Sequence, residues 1–332
     1  MLVKRFRETG PGIIILIFIV ILFTWTDAFL NPHQPSDFGF DIKPMPLYGL
    51  LLDLAGFNPL FSVIVAFIIA GLVSFLLVTF NTNVFFISER TFLPALIYIL
   101  LTGILPVQHV LNPVLPAAVF LILGVQRIMY SYRVQSTAFS FFDAGMLISV
   151  GSLFYAGFIW LGLLLIVGIA ILRAVNIKEI IISVFGLATP AFVLYGFFYV
   201  TGKDMNSMWD AVTYNLFKKD VDFSFSGLNI AVLIISGFVI FISLAQLLSA
   251  INAKKIKSRK TFVLLFWTLL IIAAEYFIFK SVSVEIFWLA AIPPTYFLSH
   301  YFVFSRKKIV PEIMLSVLFI LAAVVQIVNL VQ

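Results

Sequence analysis

Two aspartates four residues apart, Asp37 and Asp41, are the first groups in the chain whose type and spacing point to chemistry. They lie in the stretch Asp27 to Phe57, which holds four of the fifteen acidic residues (Asp27, Asp37, Asp41 and Asp53) and one of the three histidines, His33. A carboxylate at a membrane surface acts as a general base, or holds a divalent cation that neutralises a phosphate leaving group. A spacing of four brings both side chains to one side of a helical turn, or lets both serve one ion in a loop. The plainer reading of the same residues is a solvated polar loop. A second group is Glu275, inside the apolar run LLIIAAEYFIF, with Glu285 opening the next run and Lys280 between them. Ionisable groups inside a membrane span are costly and are functional candidates by default. The alternative for Glu275 is a pairing with Lys280 at the interface. Asp143 is expected near a helix N-terminus, where a carboxylate suits the helix dipole. His300 is expected to be a hydrogen-bond partner within the bundle.

Several chemistries are excluded. There is no cysteine, hence no disulfide, thiolate metal site or thiol nucleophile. There is no Walker loop, no His-x-x-x-His pattern and no Gly-x-Ser-x-Gly elbow, which argues against an integral ATPase, metalloprotease or lipase. No metal ligand set is assigned, and no cofactor is named by the sequence. A transporter would place acids or broken helices near the midplane. Only Gly186 to Pro190 and Pro293-Pro294 offer breaks, with few charges near them.

The elements that must position these groups are membrane helices. Apolar residues make up 62% of the chain and charged residues 11%, with a mean hydropathy of +1.14. That composition, in long runs rather than period-two alternation, predicts an all-α polytopic transmembrane helix bundle. About eleven spans are expected, at 11–29, 57–80, 91–106, 114–130, 142–156, 158–174, 179–200, 226–250, 262–280, 284–303 and 310–331. The stretch 142–174 reads either as a tight hairpin at Ala156-Gly157 or as one broken helix. With the N-terminus inside and the C-terminus outside, sixteen of the 21 Lys and Arg residues fall on the inner side. Lys4, Arg5 and Arg7 precede the first run, which has no small-residue cleavage site and is read as an uncleaved helix. The net charge of +6 is thus topological, and no nucleic-acid partner is expected. Residues 1–332 form a single transmembrane domain with outer loops 30–56 and 201–225. Interfacial helices are expected at Met45 to Leu54, Met205 to Phe217 and Tyr130 to Phe141. The basic loop KKIKSRK at 254–260 orients its flanking helices and touches anionic lipid.

The order of features over the first 190 residues carries a resemblance. One span leads to an acidic outer loop and an interfacial helix ending in Asn58-Pro59-Leu60-Phe61. Two spans reach Leu105-Pro106. Leu115-Pro116-Ala117 opens another span, and Ala144 to Gly151 precedes two short ones. This layout resembles the GT-C class of polytopic glycosyltransferases, which use polyprenyl-phosphate sugars on the outer face. The resemblance implies a GT-C-like arrangement, a catalytic acid at Asp37 or Asp41, and a polyprenyl-phosphate-linked donor. Lys43, Lys218 and Lys219 would then meet the donor phosphate, with Glu275 a further substrate-binding group. The whole chain is also similar to uncharacterised inner-membrane proteins of Bacteroidota, on Ser88 to Ala95 and Phe142 to Met146. That likeness implies a multi-pass protein of the cell inner membrane. Two further functions are expected as alternatives: a scaffold or assembly subunit that binds membrane protein partners, and a small-solute transporter.

Overall fold

The computed structural model describes residues 2–8, 10–105, 109–132, 138–172, 177–202, 204–219 and 226–331. All regular structure among them is helical, with no strand. This follows from the apolar runs. In hydrocarbon every backbone N–H and C=O must be satisfied within the segment, and a helix does this. The helices are α1 (Leu2–Arg7), α2 (Pro11–Thr24), α3 (Thr26–Leu30), α4 (Pro46–Ala55), α5 (Pro59–Val84), α6 (Leu93–Gly103), α7 (Val114–Tyr130) and α8 (Ala138–Ser152). They continue with α9 (Leu163–Leu172), α10 (Ile177–Val200), α11 (Met205–Thr213), α12 (Gly227–Ala250), α13 (Ile256–Ile278), α14 (Phe287–Ala290), α15 (Ile292–Phe304) and α16 (Ile309–Val331).

Proline opens several of them, in the first turn of α2, α4, α5, α6 and α15, where its missing N–H costs nothing. Asn58 caps α5 by accepting from the N–H groups of Leu60 and Phe61. Pro293 and Pro294 therefore start α15 rather than break it. Pro190 sits inside an unbroken α10 and removes the N–H that would reach the Gly186 carbonyl.

Five helices are long and apolar enough to cross a membrane: α5, α10, α12, α13 and α16. Their outward faces carry large apolar side chains such as Phe75, Phe192, Phe238 and Ile320. The protein is a membrane protein on both counts. Shorter apolar helices accompany the five, and each stretch expected to cross overlaps a helix. The centre is built from the short ones. All of α6 is buried, and so is nearly all of α15. α15 packs on α6, α12 and α13, and α5 joins α6 to α7. α8 bridges α7 to α10, which lies at the periphery. An eleven-residue helix is only about 16 Å long, too short for a hydrocarbon core of about 30 Å. It is tolerated because protein surrounds it, and the described residues after it, Ile104, Leu105 and 109–112, are buried as well. Asn112 is buried there, and its side chain serves Val110 O and the N–H groups of Val114 and Leu115.

The chain reverses at Leu153 to Tyr155. The Phe158 ring fills the space where Gly151 has no side chain, so the 3-10 stretch Ala156–Gly162 folds back on α8. Asp143 lies in the second turn of α8, near its N-terminus, and binds Arg127. The expected interfacial helix at Tyr130 to Phe141 falls partly on residues outside those described, as do Pro106, Arg133, Arg173 and Lys203.

The connections gather at two ends. At one, which we term the loop end, the Leu47 N–H donates to Leu153 O, Tyr48 to Leu111 O, and Ser281 to Leu216 O. At the other, the basic end, Arg7 binds Glu89, the Leu2 N–H donates to Glu312, and Lys254 lies over Phe304.

Candidate functional site

The two polar segments of the loop end, far apart in sequence, dock on each other. In the first, Pro35–Phe38 forms a 3-10 turn. Asp37 caps that turn by accepting from the Gln34 N–H at 2.9 Å, with His33 Nδ1 3.8 Å from its carboxylate. Gly39, at φ +66°, ends the turn. Asp37 and Asp41 therefore do not share a helical face, and the expected pairing on one turn does not form. Both are exposed. Lys43 also adopts a left-handed backbone, at φ +51°, and its ammonium lies 5.5 Å from the Tyr214 ring centre.

The second segment is α11 followed by a widened turn at Tyr214–Lys218. Together they are helical from Met205 to Lys218, which covers the expected Met205 to Phe217. Asn215 donates from Nδ2 to the Lys43 carbonyl at 2.8 Å, which locks the two segments together. Lys218 points to solvent. Lys219 turns inward, 5.3 Å from the Phe40 ring centre and 3.3 Å from Glu285 Oε1. Its partner Glu285 is 2% exposed. A buried pair of this kind repays its desolvation only with good geometry, and loss of either partner strands the other charge.

Beneath these segments lies a small polar chamber lined by Phe40, Tyr48, Tyr155, Asn215, Lys219 and Ser281, among others. Its free volume is about 10 Å³, room for one water molecule. Deeper still, Tyr155 donates its hydroxyl to Glu275 Oε1 at 3.2 Å. Glu275 is 2% exposed, and its Oε2 has no hydrogen-bond partner among the described residues. Gly157 makes room for it, since a Cβ there would overlap Glu275 Oε1. The expected pairing of Glu275 with Lys280 is thus replaced by Tyr155 for Glu275 and by Lys219 for Glu285. At the chamber wall, burial and the negative charges of Asp41 and Glu285 hold the Tyr48 phenol well above its ordinary pKa.

An apolar groove of about 230 Å³ lies at the same height. α12 packs on α15 and α16 while α13 packs on α9 and α15, so the two straddle α15 and leave a gap. Leu233 of α12 and Leu269, Ile272, Ala273 and Phe277 of α13 form its walls, with Val284 to Ala290 beneath. Along α13 it runs about 12 Å. Glu275 lies on the same two turns of α13 as Ile272 and Tyr276.

One buried group escaped the sequence reading. His109 stacks on Trp25, with ring centres 4.4 Å apart and planes within 10°, and lies 5.9 Å from Trp288. Burial lowers its pKa to about 3, and the nearby Thr102 and Thr24 carbonyls offset only part of that. Neither ring nitrogen completes a hydrogen bond with a described residue. Gln326, also buried, donates to Thr24 O at 3.1 Å and accepts from the Asp27 N–H at 2.7 Å with its amide in the favourable orientation. His109 had no local signal, because its partners come from residues 25 and 288. Among the described residues no cluster of three or more His, Cys, Asp or Glu could hold a metal.

The geometry defines a helical membrane protein with a small, partly polar chamber beside an apolar groove. Residues 44–331 match a family of unknown function, DUF6427, and the chain belongs to that family. No curated protein and no solved structure matches it. The matched stretch contains Tyr48, Tyr155, Lys219, Glu275 and Glu285, while Asp37, Asp41 and Lys43 precede it.

Proposed function

We propose that this protein binds a lipid-linked donor at the loop end and transfers a sugar or related group from it, in the manner of GT-C enzymes. On this reading the chain crosses the bacterial inner membrane eleven times, with the basic end in the cytoplasm and the loop end outside. The gathering of alternate connections at opposite ends supports that path. The observation that carries the proposal is Glu275: a buried carboxylate with one oxygen unpartnered, on the helix that walls an apolar groove. A groove of this kind takes the isoprenoid or acyl chain, and the chamber takes the polar end. Glu275, rather than Asp37 or Asp41, is then the general base.

The transfer balances as follows. The acceptor hydroxyl gives its proton to Glu275 as its oxygen bonds to the transferred carbon. The bond from that carbon to the lipid phosphate oxygen breaks, and the phosphate leaves with the electron pair. Lys219 neutralises the charge that develops there, and Lys43 and Lys218 at the rim attract the phosphate on entry. The chamber holds one water when closed, so a headgroup enters only when the two loop segments part. The Asn215–Lys43, Ser281–Leu216 and Lys219–Glu285 contacts are the ones that break.

The test compares envelope glycans and lipid-linked intermediates in cells carrying wild type, a deletion, Glu275→Gln, Asp37→Asn or Asp41→Asn, at matched insertion levels. Glu275→Gln is expected to reproduce the deletion, with the lipid-linked donor accumulating. If all three variants behave as wild type while the deletion has a phenotype, transfer is wrong. The second reading, a scaffold for membrane protein subunits, then takes its place. It is favoured by the outward face of α10, where Phe192, Val193, Tyr199 and Val200 are all exposed.

A further inference from the structure

The basic end carries a second surface that the proposed transfer does not use. The chain reads Lys-Lys-Ile-Lys-Ser-Arg-Lys at 254–260, where α12 turns into α13, and Ser-Arg-Lys-Lys at 305–308, between α15 and α16. The fold sets these two stretches side by side, since the Lys254 ammonium sits 4.3 Å from the centre of the Phe304 ring. Lys254 is partly desolvated there, which lowers its pKa. Lys260 is also engaged by protein: it donates to Leu172 O at 3.2 Å and lies 5.4 Å from the Tyr132 ring centre. The remaining cations, Lys255, Lys257, Arg259, Arg306, Lys307 and Lys308, form no ion pair with any described residue. Neither stretch contains a carboxylate of its own.

Apolar side chains stand among these cations. Ile256, Phe304 and Ile309 are 47%, 41% and 74% exposed. All three sit at helix ends, where the bundle leaves the apolar layer. Unpaired cations interleaved with exposed apolar groups match a surface that is itself phosphate above and hydrocarbon below. We infer that the two stretches together bind the headgroups of anionic phospholipids in the leaflet at the basic end. RNA or free phosphate would satisfy the cations but leave Ile256, Phe304 and Ile309 in water.

The test uses the intact protein in mixed micelles holding equal amounts of phosphatidylglycerol and phosphatidylcholine, with retained lipids counted by native mass spectrometry. Wild type is expected to retain phosphatidylglycerol over phosphatidylcholine by about fivefold or more, falling towards parity as salt is raised. Changing Lys255, Lys257 and Arg259 to Gln, or Arg306, Lys307 and Lys308 to Gln, should each cut the preference, and the combined variant should abolish it. Lys280→Gln at the loop end should leave it unchanged. Parity in wild type, a preference that salt leaves intact, or a preference that survives in the combined variant overturns the inference. So does a short RNA oligonucleotide that displaces the phosphatidylglycerol.

Discussion

Glu275 and its neighbours show how few atoms hold the chamber in shape. Tyr155 donates a hydrogen bond to Glu275, and Gly157 gives it space. Tyr155→Phe leaves a buried carboxyl with no protein donor and is expected to cost about 1–3 kcal/mol of stability, read by thermal unfolding in detergent. Gly157→Ala should do at least as much, because the added methyl drives Glu275 off Tyr155. Two groups outside the helical spans set opposite pH limits. His109 is neutral when folded, with a pKa of about 3 against 6.5 in the unfolded chain. The unfolded state thus takes up the proton first, and this stability is intact above pH 6.5 and lost as pH falls towards 3. His109→Phe should flatten the acid side of the stability profile. Tyr48 is the reverse case, an acid whose folded pKa is raised, so its contribution is intact below pH 10 and lost as pH rises beyond it. A wild-type minus Tyr48→Phe ultraviolet difference titration should show one phenol ionising well above 10, and Asp41→Asn should bring it down. None of these partnerships was legible in the sequence. Glu275 stood out as a charge in an apolar run, but Tyr155 lies 120 residues before it. Asp37 and Asp41 looked paired by spacing until Gly39 turned the chain between them.

At the scale of elements the reading was closer, because helix boundaries are written locally. Prolines at first turns and the Asn58 cap stand where the helices begin. What spacing could not reveal is why the short helices survive. α6 is stable only inside a shell of other helices, a property of the assembled bundle and not of its own eleven residues. The α8–α10 crossing is similar. A Cβ at Gly145 would lie 2.6 Å from Ser183 O, and one at Gly186 would overlap the Phe142 carbonyl. The two glycines let the backbones touch, as small residues do at membrane helix interfaces. Gly186→Leu should prise α10 from α8, since backbone cannot yield as a side chain can, and should cost about 2 kcal/mol or more. Crosslinking of paired cysteines at positions 142 and 183, about one turn of α10 from the substitution, would report the separation. The chain has no native cysteine to interfere.

Over the whole molecule, hydropathy made the membrane class legible, and the arrangement of charges made two unlike ends legible. Which helix lies at the centre was not, since α6 is about as apolar as α12 and α16, and α15 is less so. The two central helices also have a consequence for how the protein is made. α6 leaves the ribosome almost two hundred residues before α15, yet the Tyr98 hydroxyl of α6 donates to the carbonyl of Trp288, in α14 just ahead of α15. During that interval a helix too short to rest in lipid has no permanent neighbour on one side. The insertion machinery, or an insertase chaperone beside it, must shelter the nascent first half until the last third is synthesised. A chain arrested before residue 284 should therefore remain crosslinked to that machinery, while one carrying α15 should be released into the bilayer.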